Sequence, residues 1–226
     1  MGLGTMAQDK VINDPNAERR SVSGFHSISV SGGIDLYLTQ SNEGAVAISA
    51  SKKEYMDKVK TVVENGVLKI YYDSDNWFSW GWSSRKLKAY VSVKTIQALT
   101  GSGGSDIDIN GSLSVPKLKL GLSGGSDFKG SVTVTDLNLD LSGGSDVNIS
   151  GKATNLVVEA SGGSDVKAYA LATENCTASC SGGSDINITV NRELSASASG
   201  GSDIHYKGNA TVKKTSSSGG SSVSKR

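Results

Sequence analysis

The sequence predicts an all-β protein folded as a parallel β-helix, a solenoid whose coils take about 19–20 residues each. Three observations lead there. The pentapeptide Ser-Gly-Gly-Ser-Asp starts at Ser102 and returns at Ser123, Ser142, Ser161, Ser181 and Ser199, at intervals of 21, 19, 19, 20 and 18 residues. A fixed period of this size marks a stacked array, in which one unit cannot bury its apolar face alone. Apolar and polar residues alternate strictly on both sides of each copy, the period of a half-buried strand. Finally, 12 of the 28 glycines lie inside the six copies, so the glycine is patterned turn chemistry and not a flexible linker.

Aligned on the first serine, the copies share columns. Before it come Leu118, Leu120 and Leu122, then Leu137, Leu139 and Leu141, then Leu156, Val158 and Ala160. Cys176, Ala178 and Cys180 follow, and after them Leu194, Ala196 and Ala198. The first position after the aspartate is Ile107, Phe128, Val147, Val166, Ile186 or Ile204. Two further on stand Ile109, Ile149, Ala168 and Ile188, with Gly130 and Tyr206 as departures. Each unit therefore reads strand, turn, strand, connection, and parallel stacking sets neighbouring coils about 4.8 Å apart. An antiparallel meander or sandwich is the alternative. It would place successive turns on opposite edges, with no reason for all of them to be identical.

The N-terminal part follows the same scheme with less regularity. Ser31-Gly32-Gly33-Ile34-Asp35 is a variant of the turn, with Ile28 and Val30 before it and Leu36 and Leu38 after it. The stretch 45–49 predicts a short strand, and over 52–60 a short helix is the less favoured reading. Asn65-Gly66, between alternating apolar runs over 59–73, is a hairpin signal. Beyond Lys213 the pattern fades into Ser218-Gly219-Gly220-Ser221-Ser222, a final polar rung or a frayed cap. The expected organisation is a tail or signal remnant over 1–20, one β-helix domain over 21–222, and a short tail over 223–226. Within the domain, 21–100 holds irregular coils with the hairpin and a tryptophan loop, and 101–222 the regular coils.

Composition removes several function classes. With 23 Lys and Arg against 22 Asp and Glu there is no basic footprint for nucleic acid. No apolar run approaches the ~20 residues of a membrane-spanning helix. Thr5-Met6-Ala7 before Gln8 has the small-residue pattern that ends a secretory signal. Together with the fold it points to an exported protein of the periplasm or outer cell surface. Cys176 and Cys180 are four apart, about 13 Å along an extended strand and beyond the ~7 Å reach of a disulfide. Both fall in core columns, as packing residues.

These residues resemble the head GIN domain family of bacteria, described as "putative auto-transporter adhesin". The resemblance rests on the run from Phe25 to Gln40, on the run from Val63 to Tyr72, and on the serial Ser-Gly-Gly-Ser-Asp turns. It implies a β-helical exported protein, and it carries no functional residue across.

The aspartate column, Asp106, Asp127, Asp146, Asp165, Asp185 and Asp203, with Asp35 as an outlier, has two readings. Unit charges 4.8 Å apart repel by about 0.9 kcal/mol in water. Either each carboxylate accepts hydrogen bonds from Gly and Ser N–H groups of its own turn, as a structural Asx turn, or Ca²⁺ bridges the column. The structural reading is favoured, and no cofactor is expected. Catalysis has little support, because His26, placed on a core column of the first coil, and His205, near the last, would stand far apart. The irregular feature is the tryptophan loop. Trp77, Phe78, Trp80 and Trp82 lie within six residues, and could cap the coil stack or present a contact surface to a surface glycan or a protein. The expected function is a non-enzymatic exported binding and adhesion module. A carbohydrate-active β-helix enzyme and a Ca²⁺-stabilised structural solenoid are the alternatives.

Overall fold

The computed structural model describes residues 14–73 and 85–226. The fold is a parallel β-solenoid of about seven turns. Its regular part is made of β9 (Ile107–Ser123), β10 (Phe128–Leu141), β11 (Asp146–Ala160), β12 (Asp165–Cys180) and β13 (Asp185–Gly200), and every neighbouring pair is parallel. The antiparallel alternative is thereby excluded for these coils. Turn stacks on turn, with Phe128 opposite both Ile107 and Val147, and Asp146 opposite Asp165.

Each long strand is in fact three sides of a coil. In β9 the buried residues step by two within a side: Ile107 and Ile109, then Leu113 and Val115, then Leu118, Leu120 and Leu122. Between sides the step lengthens, because two or three consecutive residues face outward at Asn110–Ser112 and at Pro116–Lys117. Such a phase slip turns the chain through a corner while keeping apolar side chains inward. The repeated pentapeptide makes the third corner. Pro116 sits at one of these breaks, where the missing N–H is least costly. The core is a continuous column of Leu, Ile, Val and Ala along the axis, and it includes Cys176 and Cys180 as free, buried thiols.

Phe128 is the largest fully buried side chain and occupies a column otherwise filled by Ile and Val. Gly130 makes room for it. A Cβ there would come within 2.6 Å of Ile109 Cγ1 and 3.0 Å of Phe128 Cζ.

At the N-terminal end the chain wraps twice and is then sealed. The elements there are β1 (Glu18–Arg19), β2 (Ser27–Ser31), β3 (Ile34–Gln40), β4 (Ala45–Ser49), α1 (Lys53–Met56), β5 (Val59–Glu64), β6 (Val67–Tyr72), β7 (Leu87–Val93) and β8 (Ala98–Ser102). Strands β2 and β3 flank the variant turn and stack in parallel on β8 and β9. On their other side they pair in parallel with β6 and β7. The outer layer is antiparallel: β4 on β7, β1 on β4, and β5 on β6 through the hairpin at Asn65 and Gly66, both with positive φ. Antiparallel edges end the solenoid there. The predicted strand at 45–49 is β4, and the predicted helix shrinks to the single turn α1.

The other end is formed by β14 (Asp203–Lys207), β15 (Thr211–Gly219) and β16 (Ser222–Lys225), all in parallel register with the coil before them. Thr215 and Ser217 stand opposite Ala196 and Ala198, so the final coil is a polar rung. All of β15 is exposed.

Candidate functional site

The pentapeptide corner shows what each of its residues does. The second serine points inward: Ser105, Ser126, Ser145, Ser164, Ser184 and Ser202 are fully buried. Burial of a hydroxyl is costly unless it is hydrogen-bonded, and the stack supplies the partners. The Ser105 N–H donates to Ser126 Oγ at 3.0 Å, Ser126 N–H to Ser145 Oγ at 3.3 Å, Ser145 N–H to Ser164 Oγ at 3.1 Å, and Ser164 N–H to Ser184 Oγ at 3.2 Å. Ser145 Oγ also donates to the Ser142 carbonyl at 3.1 Å, closing its own turn. At the start of the ladder Ser105 Oγ accepts from Ile34 N–H at 3.0 Å.

The next residue runs the opposite way. Asp127 N–H donates to Asp106 Oδ1 at 3.3 Å, Asp146 N–H to Asp127 Oδ1 at 3.2 Å, and Asp203 N–H to Asp185 Oδ1 at 3.3 Å. Asp203 Oδ1 ends the column on Ser222, taking both its N–H, at 2.9 Å, and its hydroxyl, at 2.7 Å. Asp146 instead pairs with Lys167, Oδ2 to Nζ 3.4 Å. Successive N–H groups of a strand point to opposite neighbours, so serine oxygens serve the coil before and aspartate oxygens the coil after. The hydrogen bonds expected from Gly and Ser N–H groups of the same turn are therefore replaced by bonds between coils. Asp35 joins the column, since the residue after it, Leu36, donates to the Asp106 carbonyl at 2.7 Å. Among the described residues no group of three or more His, Cys, Asp or Glu side chains comes together to hold a metal.

The column is electrostatically uneven. Burial raises the pKa of Asp35 and the charge of Asp106 adds to it, while Lys88 opposes the shift. Burial also raises that of Asp106, the Asp127 N–H bond opposes it, and the charges of Asp127 and Asp108 reinforce it. At the far end the two bonds from Ser222 lower the pKa of Asp203.

The glycines change conformation along the stack. In the first three copies both have positive φ, as in Gly103 at 63° and Gly104 at 71°, and the second glycine donates to the following coil: Gly104 N–H to the Gly124 carbonyl at 3.1 Å, Gly125 to Gly143 at 3.2 Å. From the fourth copy only the first glycine has positive φ. The second then donates to the preceding coil, Gly183 to Gly162 at 3.0 Å and Gly201 to Gly182 at 2.8 Å. Identical sequences thus adopt two turn forms.

A second polar ladder lies at another corner. Asn155 Nδ2 donates to Asp136 Oδ1 at 2.9 Å, Asn175 Nδ2 to Asn155 Oδ1 at 2.9 Å, and Arg192 Nε to Asn175 Oδ1 at 3.1 Å. Lys117 approaches Asp136 Oδ2 at 3.3 Å.

The side after the pentapeptide carries an outward column whose members differ from coil to coil. Through successive registers it runs Tyr90, Tyr37, Asp108, Lys129, Asn148, Lys167, Asn187 and His205. Tyr37 and Tyr90 stack with centroids 5.4 Å apart. Tyr90 Oη donates to Asp14 Oδ2 at 2.9 Å, and burial together with that bond pushes its pKa up to about 12. Beside Tyr37 opens a shallow groove of about 410 Å³, lined by Tyr37, Asp108, Ile109, Asn110, Lys129, Gly130, Ser131, Asn148 and Ser150. Register shifts fall within it, between Lys129 and Ser131 and between Asn148 and Ser150.

Of the residues singled out from sequence, the structure brings the aspartates into one column. Trp77, Phe78, Trp80 and Trp82 lie outside the described residues. The strands flanking that segment are informative: β6 and β7 stack on β2 and β3, so one ends and the other begins at the pentapeptide corner. His26 is exposed, packed against Gly66 of the hairpin, and not on a core column as its phase suggested. It precedes β2, where alternation has not yet started. His205 sits in the last coils, its Nδ1 2.8 Å from Ser224 Oγ. Sequence reasoning missed the buried serines, the asparagine ladder and the tyrosine pair. The serines could have been found as the one polar column sharing the phase of the core.

Comparison with known proteins agrees with this architecture. A family model described as "Putative auto-transporter adhesin, head GIN domain" matches residues 24–210. A crystal structure of a putative adhesin from Bacteroides fragilis superposes with a TM-score of 0.86 at 22% identity, over 93% of this chain and 96% of that one. A putative adhesin from Parabacteroides merdae gives 0.70 at 19% identity, over 93% and 95%. A putative lipid binding protein from Parabacteroides distasonis gives 0.65 at 19%, over 94% and 98%. A search of curated proteins gives no match. With the family model spanning most of its length, the chain belongs to the head GIN domain family.

Proposed function

We propose that the protein is a non-enzymatic adhesion module, exported to the periplasm or outer cell surface, with residues 21–222 acting as one rigid β-helical unit. The observation that carries this reading is the column from Tyr90 through Tyr37 and Asp108 to Asn148. It is a solvent-facing strip of differing side chains beside serine, aspartate and asparagine columns that are bonded within themselves. Family membership and the repetitive prism support it. A second contact is proposed at Trp77, Phe78, Trp80 and Trp82, four large aromatic residues within six positions of the sequence. The partner is a surface glycan or protein. Binding of the whole chain to a glycan array and to immobilised bacterial surface proteins tests the reading, with Trp80→Ala and Tyr37→Ala as variants. Absence of any specific binding by the folded chain refutes it.

One observation favours a second reading, a carbohydrate-active enzyme: Asp106, with its raised pKa, lies two residues from Asp108 at the groove edge. A pair of neighbouring carboxyls at a groove suits glycoside hydrolysis. New reducing ends in oligosaccharides incubated with the protein would support that reading, and their absence supports the adhesion module.

A further inference from the structure

We infer that the groove beside Tyr37 binds an extended, β-linked pyranose chain laid parallel to the solenoid axis. This rests on the adhesion reading and names its ligand class. Four features carry it. The first is dimension: Tyr37, Asp108, Lys129 and Asn148 come from four successive coils in direct register. Three coil steps span about 14 Å, and each step is close to the rise of one sugar in an extended β-linked chain. A solenoid face therefore presents one rung per sugar. The second is volume, since about 410 Å³ accommodates a short saccharide segment.

The third is chemistry. Tyr37 offers an aromatic ring, held by its stack on Tyr90 in the next coil and through it by Asp14, for contact with the apolar C–H groups of a pyranose. Asp108 and Asn148 offer planar polar groups that can engage neighbouring hydroxyls in pairs. The fourth is availability. Among the described residues, the side chains of Asp108, Lys129 and Asn148 make no hydrogen bond or ion pair within the protein, whereas Asp106, Asp127, Asn155 and Asn175 all serve the stack. A ladder built only to hold coils together would bond along its length, as the asparagine corner does. Over Asp108, Lys129 and Asn148 this column does not; its bonds lie beyond them, at Lys167 with Asp146 and at His205 with Ser224.

The test is calorimetric titration of the full chain with cellohexaose and chitohexaose, both extended and β-linked, and with maltohexaose, which is α-linked and coils. The extended hexaoses should bind and maltohexaose should not. Asn148→Ala, an exposed site with no internal bond, and Tyr37→Ala should each weaken binding about tenfold with thermal unfolding unchanged for Asn148→Ala. Tyr37→Phe should retain binding because the ring remains, and Thr177→Ala, on another side of the prism, should bind as the wild type. Equal binding of maltohexaose, wild-type affinity in both Asn148→Ala and Tyr37→Ala, or no binding of either extended hexaose overturns the inference. If the hexaoses fail while the array or surface proteins still retain the chain, the groove assignment falls and the adhesion reading stands.

Discussion

Replacing Ser145 by alanine separates the two ladders of the repeat. Ser145 is fully buried, and its Oγ accepts from Ser126 N–H at 3.3 Å while donating to the Ser142 carbonyl at 3.1 Å. Alanine strips both. The Ser142 carbonyl lies near solvent and can recover a water, but the Ser126 N–H stays buried without an acceptor, a loss of about 1–3 kcal/mol. Adding a fraction of the donated bond brings the expected cost to about 2–3 kcal/mol. The control is Asp127→Ala. Asp127 Oδ1 also accepts one inter-coil bond, from Asp146 N–H at 3.2 Å, but in an exposed setting where water substitutes, and removing the charge relieves repulsion along the column. Its cost should be about 0.5 kcal/mol. For a chain of this length 1 kcal/mol moves the melting midpoint by about 2–4 °C. Ser145→Ala should therefore melt about 5–10 °C lower, and Asp127→Ala within about 2 °C of the wild type. Circular dichroism melts and urea titrations measure both. Because a solenoid is held by nearest-neighbour interfaces, a broadened or split transition in Ser145→Ala is also expected. An unshifted Ser145→Ala with a strongly destabilised Asp127→Ala would refute the reasoning and return the stabilising role to the aspartate.

The two turn forms predict opposite responses to the same substitution. Gly144→Ala, at φ 78°, should cost about 1–2 kcal/mol, whereas Gly163→Ala, with ordinary φ and open space at its Cβ, should be neutral or stabilise slightly in the same urea titration. Gly151→Ala should be far worse, because φ is 110° and its Cβ would meet the Val132 carbonyl oxygen. The thiols should be inert in the native state, since burial pushes Cys176 up to about 12 and Cys180 to about 11; a thiol reagent such as DTNB should find no reactive groups until the protein is denatured, and both afterwards. Asp35 and Asp106 have folded pKa values above their unfolded ones, so the folded state binds more protons. Their contribution is fully present below about pH 3.9 and is lost as pH rises through the raised values. Asp35→Asn should flatten that slope and stabilise at neutral pH, as denaturation across a pH series will show.

Much of the fold was legible because a solenoid writes its core in columns. The period placed Leu118, Leu137 and Leu156 in one buried line, and the structure puts them there. The corners were not legible in the same way. A phase slip such as that from Ile109 to Leu113 looks like lost alternation in one coil, and only the stacked coils show it to be a bend. The serine ladder was hidden by residue type, since Ser and Gly in a turn are read as local chemistry, while the partners of Ser145 lie a whole coil away. The asparagine ladder was obscured because its members change identity from Lys117 to Asp136 to Asn155. As for the groove, Tyr37 reads as one more outward residue until the register sets it beside Tyr90 and Asp108.

What repeats and what varies divide the labour of this molecule. The six copies of the pentapeptide look at first like six copies of a site, yet their oxygens are directed at neighbouring coils: the serines backward along the stack, and Asp106, Asp127, Asp185 and Asp203 forward. A group occupied in holding the next coil is poorly placed to recognise a ligand. On the adhesion reading, recognition falls to the positions that the repeat leaves free to differ. Departures of this kind cluster at the Tyr37–Tyr90 pair, the Phe128–Gly130 exchange, and the unbonded Asp108, Lys129 and Asn148. On the proposed reading, regularity builds the strip on which those departures are read in series by a partner that is itself a repeating chain.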